Sequence, residues 1–434
     1  MNNRNNILLA YYGDDFTGST DALEFISRAG ARTILFTEPP TAEQLQSFGG
    51  LNAYGVAGKT RALPPAEMEK LLLPAFEQMK ASGARHVHYK VCSTFDSSPF
   101  TGSIGKAIDC GVAVFGNKMV PVIGGMPVLG RYCLFGNLYA RMGIGSQGKI
   151  YRLDRHPSMS KHPVTPADES DLRLHLGKQT AKKFGLIDVL QLDKPVEGWK
   201  EAIRDGEEIV LIDTLYESQL VKIGEWIDSL GRDKTQFSAG GSGIEAALGN
   251  YWNEKGLLKQ RTEWQKIEKA DPLLVISGSC SPVTASQIVH AKANGFEEML
   301  LDAVGICNDD TVSEVVIKQM NTFLGQKKNV IVHTGTKQTE NLSSERLGTS
   351  LGVLARDAVA KHKLKRVVVA GGDTSSYAAR AMEIDAVEMI APLVSGAPLC
   401  KAYSKNKVMD GLEVNFKGGQ VGSEDYFEVL MKGE

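Results

Sequence analysis

Ile7-Leu8-Leu9-Ala10-Tyr11-Tyr12-Gly13-Asp14-Asp15-Phe16-Thr17-Gly18-Ser19-Thr20-Asp21 is the stretch on which the fold turns. An apolar run stops at a glycine, and two adjacent carboxylates follow. Small hydroxyl residues and Gly18 come next, then a helical spacing of apolar residues at Ala22, Leu23, Phe25, Ile26 and Ala29. A short apolar run bounded by turn residues is the pattern of a buried parallel strand. Ser19 or Thr20 suits the N-cap of the helix after it. Asp14 and Asp15 therefore fall where a strand hands over to a helix, the edge at which open α/β sheets bind ligands. Carboxylates there suit binding hydroxyls, holding Mg²⁺ or taking a proton from a hydroxyl. The plainer reading is that one caps the helix and the other is solvated.

Outward from this stretch, strand and helix patterns alternate. Strands are expected at 7–12, 32–37, 51–57, 86–91 and 119–123, with helices at 20–29, 64–81 and 102–110, the signature of a parallel sheet covered by helices. Residues 131–139 read as a hairpin turning at Gly136-Asn137. A long Pro- and His-rich loop follows at 154–166. The alternation resumes with helices at 168–183, 197–204 and 216–230 and strands at 185–190, 208–212 and 235–239. A polar segment at 250–272 marks a junction. A second series follows, with strands at 273–277, 297–301, 329–333, 366–370 and 386–390. Its helices fall at 282–294, 311–325, 342–362, 374–383 and 424–431. The expectation is α/β throughout, two domains with mostly parallel sheets, 1–255 and 256–434. A chain of 434 residues exceeds what one core usually serves.

Composition narrows the function classes. The formal net charge is -2, so no basic surplus argues for nucleic acid or an anionic membrane. No apolar stretch approaches ~20 residues, so no membrane span is expected, and the polar start does not resemble a signal peptide. The six cysteines are dispersed without a C-x-x-C pair, which disfavours zinc or a disulfide framework and suits a reducing cytoplasm. A homo-oligomer is compatible with all of this.

Three glycine-rich loops mark the second half: Ser277-Gly278-Ser279-Cys280-Ser281-Pro282, Ala370-Gly371-Gly372-Asp373-Thr374 and Lys417-Gly418-Gly419-Gln420-Val421-Gly422. Two directly follow expected buried strands. Small residues let backbone amides approach an anion, and helix starts favour negative charge. Together they read as a phosphate cradle formed around Ser277, Ser279, Gly371, Gly372, Thr374, Gly418 and Gly419. Asp373 is placed to orient Mg²⁺ or a ribose hydroxyl. There is no G-x-x-x-x-G-K-[ST]. Gly143-Ile144-Gly145-Ser146-Gln147-Gly148 matches G-x-G-x-x-G but leads into a Pro-rich loop, so it is set aside. Gly241-Ser242-Gly243 opens a helix after a strand but lacks the acidic strand end expected ~20 residues on.

His86, His88 and Lys90 share one strand face; packed histidines are commoner there than a metal pair. Lys90 leads into Val91-Cys92-Ser93-Thr94-Phe95-Asp96-Ser97-Ser98-Pro99, a strand end suited to a polyhydroxylated anion, with Lys90 for a carboxylate and Asp96 for hydroxyls. Its alternative is a capped turn with a surface lysine. Arg155, His156, His162 and Thr165 in the long loop also suit an acid, or an ordinary surface.

These stretches together resemble the four-carbon acid sugar kinase family, over nearly the whole chain. The resemblance is carried by Gly13 to Asp21, Lys90 to Pro99 with Gly102-Ser103-Ile104-Gly105, and His162-Pro163-Val164-Thr165-Pro166 with Glu169-Ser170-Asp171-Leu172. It continues through Ser277 to Ser281 with Thr284 and Gln287, Gly371 to Ser375, Pro398-Leu399-Cys400, and Lys417-Gly418-Gly419 through Gly422. It implies an N-terminal sugar-acid domain, a C-terminal ATP domain, and phosphorylation of tetronates, 3-oxo-tetronates or related branched acids such as 3-oxo-isoapionate. By motif, Asp14, Asp15, Lys90, Ser93, Asp96 and Ser97 would line the substrate site, with Asp14 or Asp15 acting on the acceptor hydroxyl. Ser279, Gly371, Gly372, Asp373, Thr374 and Gly418 would contact ATP. Gly13, Asp373 and Ala167 stand where the family often has alanine, glutamate and methionine; Gly13 and Ala167 bear on pocket size and leave the exact acid open. Two alternatives remain: an NAD-dependent dehydrogenase using the Gly241 loop, and a non-catalytic two-lobed sugar-acid sensor.

Overall fold

The computed structural model describes residues 7–142, 148–162, 164–309, 312–335 and 343–433. The G-x-G-x-x-G match at 143–148 and Pro163 fall wholly or largely outside them. The chain forms two compact units: residues up to Ile34 with Glu38–Thr262, and Leu35–Thr37 with Glu263 onward.

The first unit starts with β1 (Leu9–Gly13), α1 (Phe16–Arg28), β2 (Thr33–Phe36), α2 (Ala42–Phe48), β3 (Ala53–Ala57), α3 (Pro65–Ala81), β4 (His86–Lys90), α4 (Ile104–Phe115) and β5 (Val120–Ile123). An antiparallel group follows, β6 (Arg131–Leu134), β7 (Asn137–Arg141) and β8 (Ile150–Arg152), then α5 (Leu172–Gly177). The unit ends with β9 (Lys183–Ile187), α6 (Val189–Leu192), β10 (Glu207–Ile212), α7 (Leu220–Leu230), β11 (Gln236–Gly240) and α8 (Gly243–Glu254). The main sheet runs β2-β3-β1-β4-β11-β5-β10-β9, parallel from β3 onward. β1 is buried along its whole length, which is why its sequence is continuously apolar rather than alternating. Its helices cover a core that includes Trp199, Trp226 and Trp252. Fully burying a large apolar side chain stabilises by roughly 1.5–3 kcal/mol.

The second unit holds β12 (Leu274–Ser277), α9 (Pro282–Ala293), β13 (Glu297–Leu300), α10 (Ala303–Asp309), α11 (Glu314–Gly325), β14 (Val330–His333), α12 (Ser344–His362), β15 (Arg366–Ala370) and α13 (Gly372–Ala381). Then come β16 (Ala386–Val394), β17 (Ala397–Tyr403), β18 (Glu413–Lys417) and α14 (Tyr426–Lys432). Its order is β13-β14-β12-β15-β18-β17-β16. The sequence shows no repeat, yet β2-β3-β1-β4 and β13-β14-β12-β15 are the same arrangement. In each, the chain leaves the founding strand on one side and returns on the other. That reversal makes a crevice at the carboxyl edge, between β1 and β4 and between β12 and β15.

Several elements differ from expectation. α1 begins at Phe16 with Asp15 as N-cap, not near Ser19 or Thr20, because the Asp15 carboxylate accepts the Gly18 N–H at 2.7 Å. The hairpin turns at Phe135-Gly136, one residue earlier than Gly136-Asn137, with φ of 48° and 82°. This left-handed pair is what a two-residue hairpin requires, and the Asp213 carboxylate stabilises it by accepting both N–H groups at 2.6 and 2.9 Å. The helix expected over 168–183 shrinks to α5 and a strand, and residues 196–202 form a 3₁₀ turn. β17 and β18 had no counterpart in the sequence reading. Their strands are mixed in polarity, and β17 is recognisable through its pairing with β16 and β18.

Candidate active site

Register aligns the strand ends. Gly13 pairs with Ala57 on one side and Lys90 on the other, Lys90 with Gly240, and Gly240 with Ile123. The residues just past this row are Asp14, Asp15, Gly58, Val91 to Ser93 and Gly241 to Gly243, so distant segments meet at one edge.

Asp14 and Asp15 are both buried, and neither is solvated. Arg61, just after β3, clamps them. Its Nε and Nη2 donate to the two Asp14 oxygens at 3.2 and 3.0 Å, and Nη2 lies 2.8 Å from Asp15 Oδ1. Asp15 also accepts from Thr17 Oγ1 at 2.8 Å. Asp14 additionally receives the Cys92 N–H at 3.4 Å. Burial pushes the Asp14 carboxyl above its ordinary range; Arg61 pulls against this and Asp15 adds to it. A buried carboxylate with a raised pKa, on the residue before the N-cap of α1, fits general-base work on a hydroxyl. Asp15 divides its capacity between capping and Arg61, which suits positioning.

Lys90 is fully buried. It donates to Val91 O at 2.9 Å and lies 3.2 Å from Asp21 Oδ2. Burial works to lower its pKa, but Asp21, Asp14 and Glu245 together raise it. Its charge is thus already compensated, which weakens the expectation that it binds a substrate carboxylate. Ser93 Oγ accepts from Arg131 Nε at 3.2 Å, and half-buried Asp96 accepts from Thr94 Oγ1. Ser97 does not face the crevice edge as expected: its hydroxyl donates to Phe95 O and contacts His175 Nε2 and Gln179 Nε2. It holds the loop in which Phe95 adopts φ of 54°. Arg155 is exposed, with Asp154 at 3.9 Å, and His162 accepts from the Thr165 N–H. His86 pairs with Asp228, and His88 with Glu245 at 2.5 Å. These are packed core histidines. Among the described residues no cluster of three or more His, Cys, Asp or Glu could hold a metal. A Cβ on Gly13 would meet Ser19 Oγ.

The second unit has the same aligned row, His333, Ser277, Ala370 and Lys417. All three glycine loops follow it on adjacent strands β12, β15 and β18. Gly371 has φ of 121°, and a Cβ there would lie 2.9 Å from Thr374 Oγ1; one on Gly419 would lie 2.7 Å from Ser279 Oγ. Glycine at 371 and 419 lets these loops pack against the Thr374 and Ser279 side chains. Ser279 and Ser281 stiffen the first loop through side-chain to amide bonds. Asp373 is exposed in the first turn of α13, 3.4 Å from Ser344 Oγ. Lys417 is buried under the third loop. It donates to Thr284 Oγ1 at 3.0 Å, and that hydroxyl donates to Gly419 O. Burial pulls the Lys417 ammonium down to about 7.

Arg61 and Arg131 were missed in the sequence. Arg61 had a signal, Gly58-Lys59-Thr60-Arg61 directly after an expected strand; Arg131 had none, because a hairpin delivers it.

Fold and geometry thus define a two-unit α/β protein with a polar, carboxylate-bearing crevice in one unit and a phosphate-type glycine cradle in the other. Residues 9–248 match the family model described as a sugar-binding N-terminal domain, and residues 274–427 the one described as a nucleotide-binding C-terminal domain. The chain is similar to the 3-oxo-isoapionate kinase of Paraburkholderia graminis, 40% identical over 454 residues covering 98% of this chain and 94% of the relative. It is also similar to the 3-oxo-tetronate kinase of Cupriavidus necator, 26% identical with 98% and 96% covered. A solved Salmonella typhimurium structure described as a putative tRNA synthase superposes with a TM-score of 0.76 at 23% identity, covering 97% of this chain and 98% of that one. That likeness bears on the fold alone. The chain belongs to this family of two-domain sugar-acid kinases. It is an ATP-using phosphotransferase with a small-molecule acceptor, which displaces the dehydrogenase and sensor readings. Among the described residues no helix is long and apolar enough to cross a membrane.

Proposed function

We propose that the chain transfers the γ-phosphoryl group of ATP to a terminal hydroxyl of a tetronate, a 3-oxo-tetronate or a branched acid such as 3-oxo-isoapionate. The acceptor binds in the 1–255 region and ATP in the 256–434 region. The observation that carries this reading is the Asp14–Arg61–Asp15 clamp at the β1/β4 crevice. The names of the relatives support the acid class, and the 40% identity favours the branched acid.

Phosphoryl transfer runs through a loose transition state, so positioning and charge neutralisation dominate. Asp14 accepts the proton of the acceptor hydroxyl, and Arg61 keeps that carboxylate oriented. The start of α1 favours negative charge beside it. On the nucleotide side, the backbone of Gly371, Gly372, Gly418 and Gly419 with the Ser277–Ser279 segment lies against the phosphates. Glycine at 371 and 419, where a Cβ would crowd the Thr374 and Ser279 hydroxyls, supports this placement. Mg²⁺ fits the same place, where Asp373 and the Thr374 and Ser279 hydroxyls would hold it together with the phosphates. This is Mg²⁺'s usual mode of binding, with few protein ligands. When bound, Mg²⁺ neutralises charge on the transferring phosphoryl group. A cytoplasmic setting accords with the ATP requirement and with the dispersed cysteines of the chain.

The test is acid-dependent ADP release with ATP and Mg²⁺ against D- and L-threonate, D- and L-erythronate, their 3-oxo forms and 3-oxo-isoapionate. Release with one of them is expected. No release with any, alongside measurable ATP binding, would reject the acceptor class.

A further inference from the structure

We infer that Arg131 is the group that recognises the carboxylate of the acceptor acid, an inference that rests on the kinase reading above. Arg131 is 6% exposed at the start of β6. Its Nη1 donates to Leu129 O, Gly130 O and Arg141 O, and its Nε to Ser93 Oγ. These bonds hold the guanidinium rigidly. None supplies a negative charge, and Nη2 donates to no atom of the described residues. The other two cations near the crevice are committed, Arg61 to Asp14 and Asp15 and Lys90 to Asp21.

A buried guanidinium without a carboxylate partner is costly, and an anionic ligand relieves that cost. Arginine's planar fork also matches a carboxylate better than lysine's ammonium does. Burial holds the Arg131 charge at a disadvantage, with Cys92, Asp96 and Asp21 its main acidic influences. None of these lies within ion-pairing distance. His156, the neighbouring imidazole, accepts the Ser158 and Met159 N–H groups on Nδ1.

The placement fits a short acid. The Cys92 N–H touches Asp14, and the next residue, Ser93, touches Arg131. Cys92 and Ser93 are consecutive residues at the turn that follows β4, their Cα atoms about 3.8 Å apart, so Asp14 and Arg131 are held by neighbouring positions. A four-carbon acid would thus lie along Cys92–Ser93, its carboxylate at Arg131 and its far hydroxyl at Asp14. The hairpin is fixed there by the Cys133–Thr214 backbone pair, 2.9 and 3.1 Å.

The experiment measures binding by calorimetry and kcat/KM by ADP release, using each acid of the panel and its uncharged amide, on wild type, Arg131→Gln and Arg131→Lys. Wild type is expected to bind the acid at least roughly 30-fold more tightly than the amide, as removing one partner of a buried charged pair usually costs. Arg131→Gln should lose most of that preference, raising KM for the acid and leaving KM for ATP unchanged. Arg131→Lys, which keeps the charge if Gln impairs folding, should recover part of it. An unchanged acid-to-amide ratio in both variants, or a wild type that does not distinguish acid from amide, would overturn the assignment. Binding of the acid with no ADP release from wild type would instead reject the kinase reading and leave the Arg131 result standing.

Discussion

Replacing Asp14 by asparagine should separate chemistry from folding. If Asp14 takes the acceptor proton, the change should lower kcat about 10²–10⁴-fold, or roughly 2.7–5.4 kcal/mol at 1.36 kcal/mol per decade. Stability should respond differently. Asp14 is 3% exposed, and burial raises its pKa in the folded state. An acid with a raised folded pKa contributes stability fully below its unfolded pKa and loses it as pH rises through the folded value. At neutral pH the ionised carboxylate is therefore a cost, which asparagine removes. Arg61 keeps its Asp15 contact at 2.8 Å, and the amide oxygen still accepts. Asp14→Asn should thus melt within about 4 °C of wild type or higher, since about 1 kcal/mol corresponds to about 2–4 °C in a unit of this size. Arg61→Met is the contrast. It strands two buried carboxylates and should cost roughly 3–5 kcal/mol. The assays are coupled ADP release under saturating ATP and thermal unfolding by circular dichroism. Turnover of folded Asp14→Asn within threefold of wild type would refute the base assignment. A melting drop as large as that of Arg61→Met would refute the electrostatic argument.

Two further outcomes concern the second unit. Gly371→Val places a branched side chain at φ of 121° and against Thr374, so ATP affinity by calorimetry should fall about tenfold or more, given the strain of a non-glycine residue there; unchanged affinity would remove Gly371 from the cradle. Lys417 has a folded pKa of about 7, below its ordinary 10.5. The unfolded chain then binds the extra proton between these values, so stability should rise with pH from about 7 toward 10. Urea midpoints across that window should show this rise, and Lys417→Met should flatten it.

Local pattern determined much of this protein. Apolar runs ending at glycine placed β1, β12 and β15, and the paired carboxylates and three glycine loops fell at strand ends because strand-to-helix transitions need those residue types. Such signals act within a few residues, so they survive without knowledge of the fold. Strand order was a different matter. Only the tertiary structure set β1 beside both β3 and β4, bringing Arg61 to Asp14 across 47 positions and, through the β6 hairpin, Arg131 to Ser93 across 38. It also set the electrostatic surroundings of the cations. Lys90, expected to meet a substrate carboxylate, has Asp21 at 3.2 Å, whereas Arg131 has no carboxylate within ion-pairing distance among the described residues. Charge compensation depends on distance and burial, and both are set by which distant segments the sheet aligns.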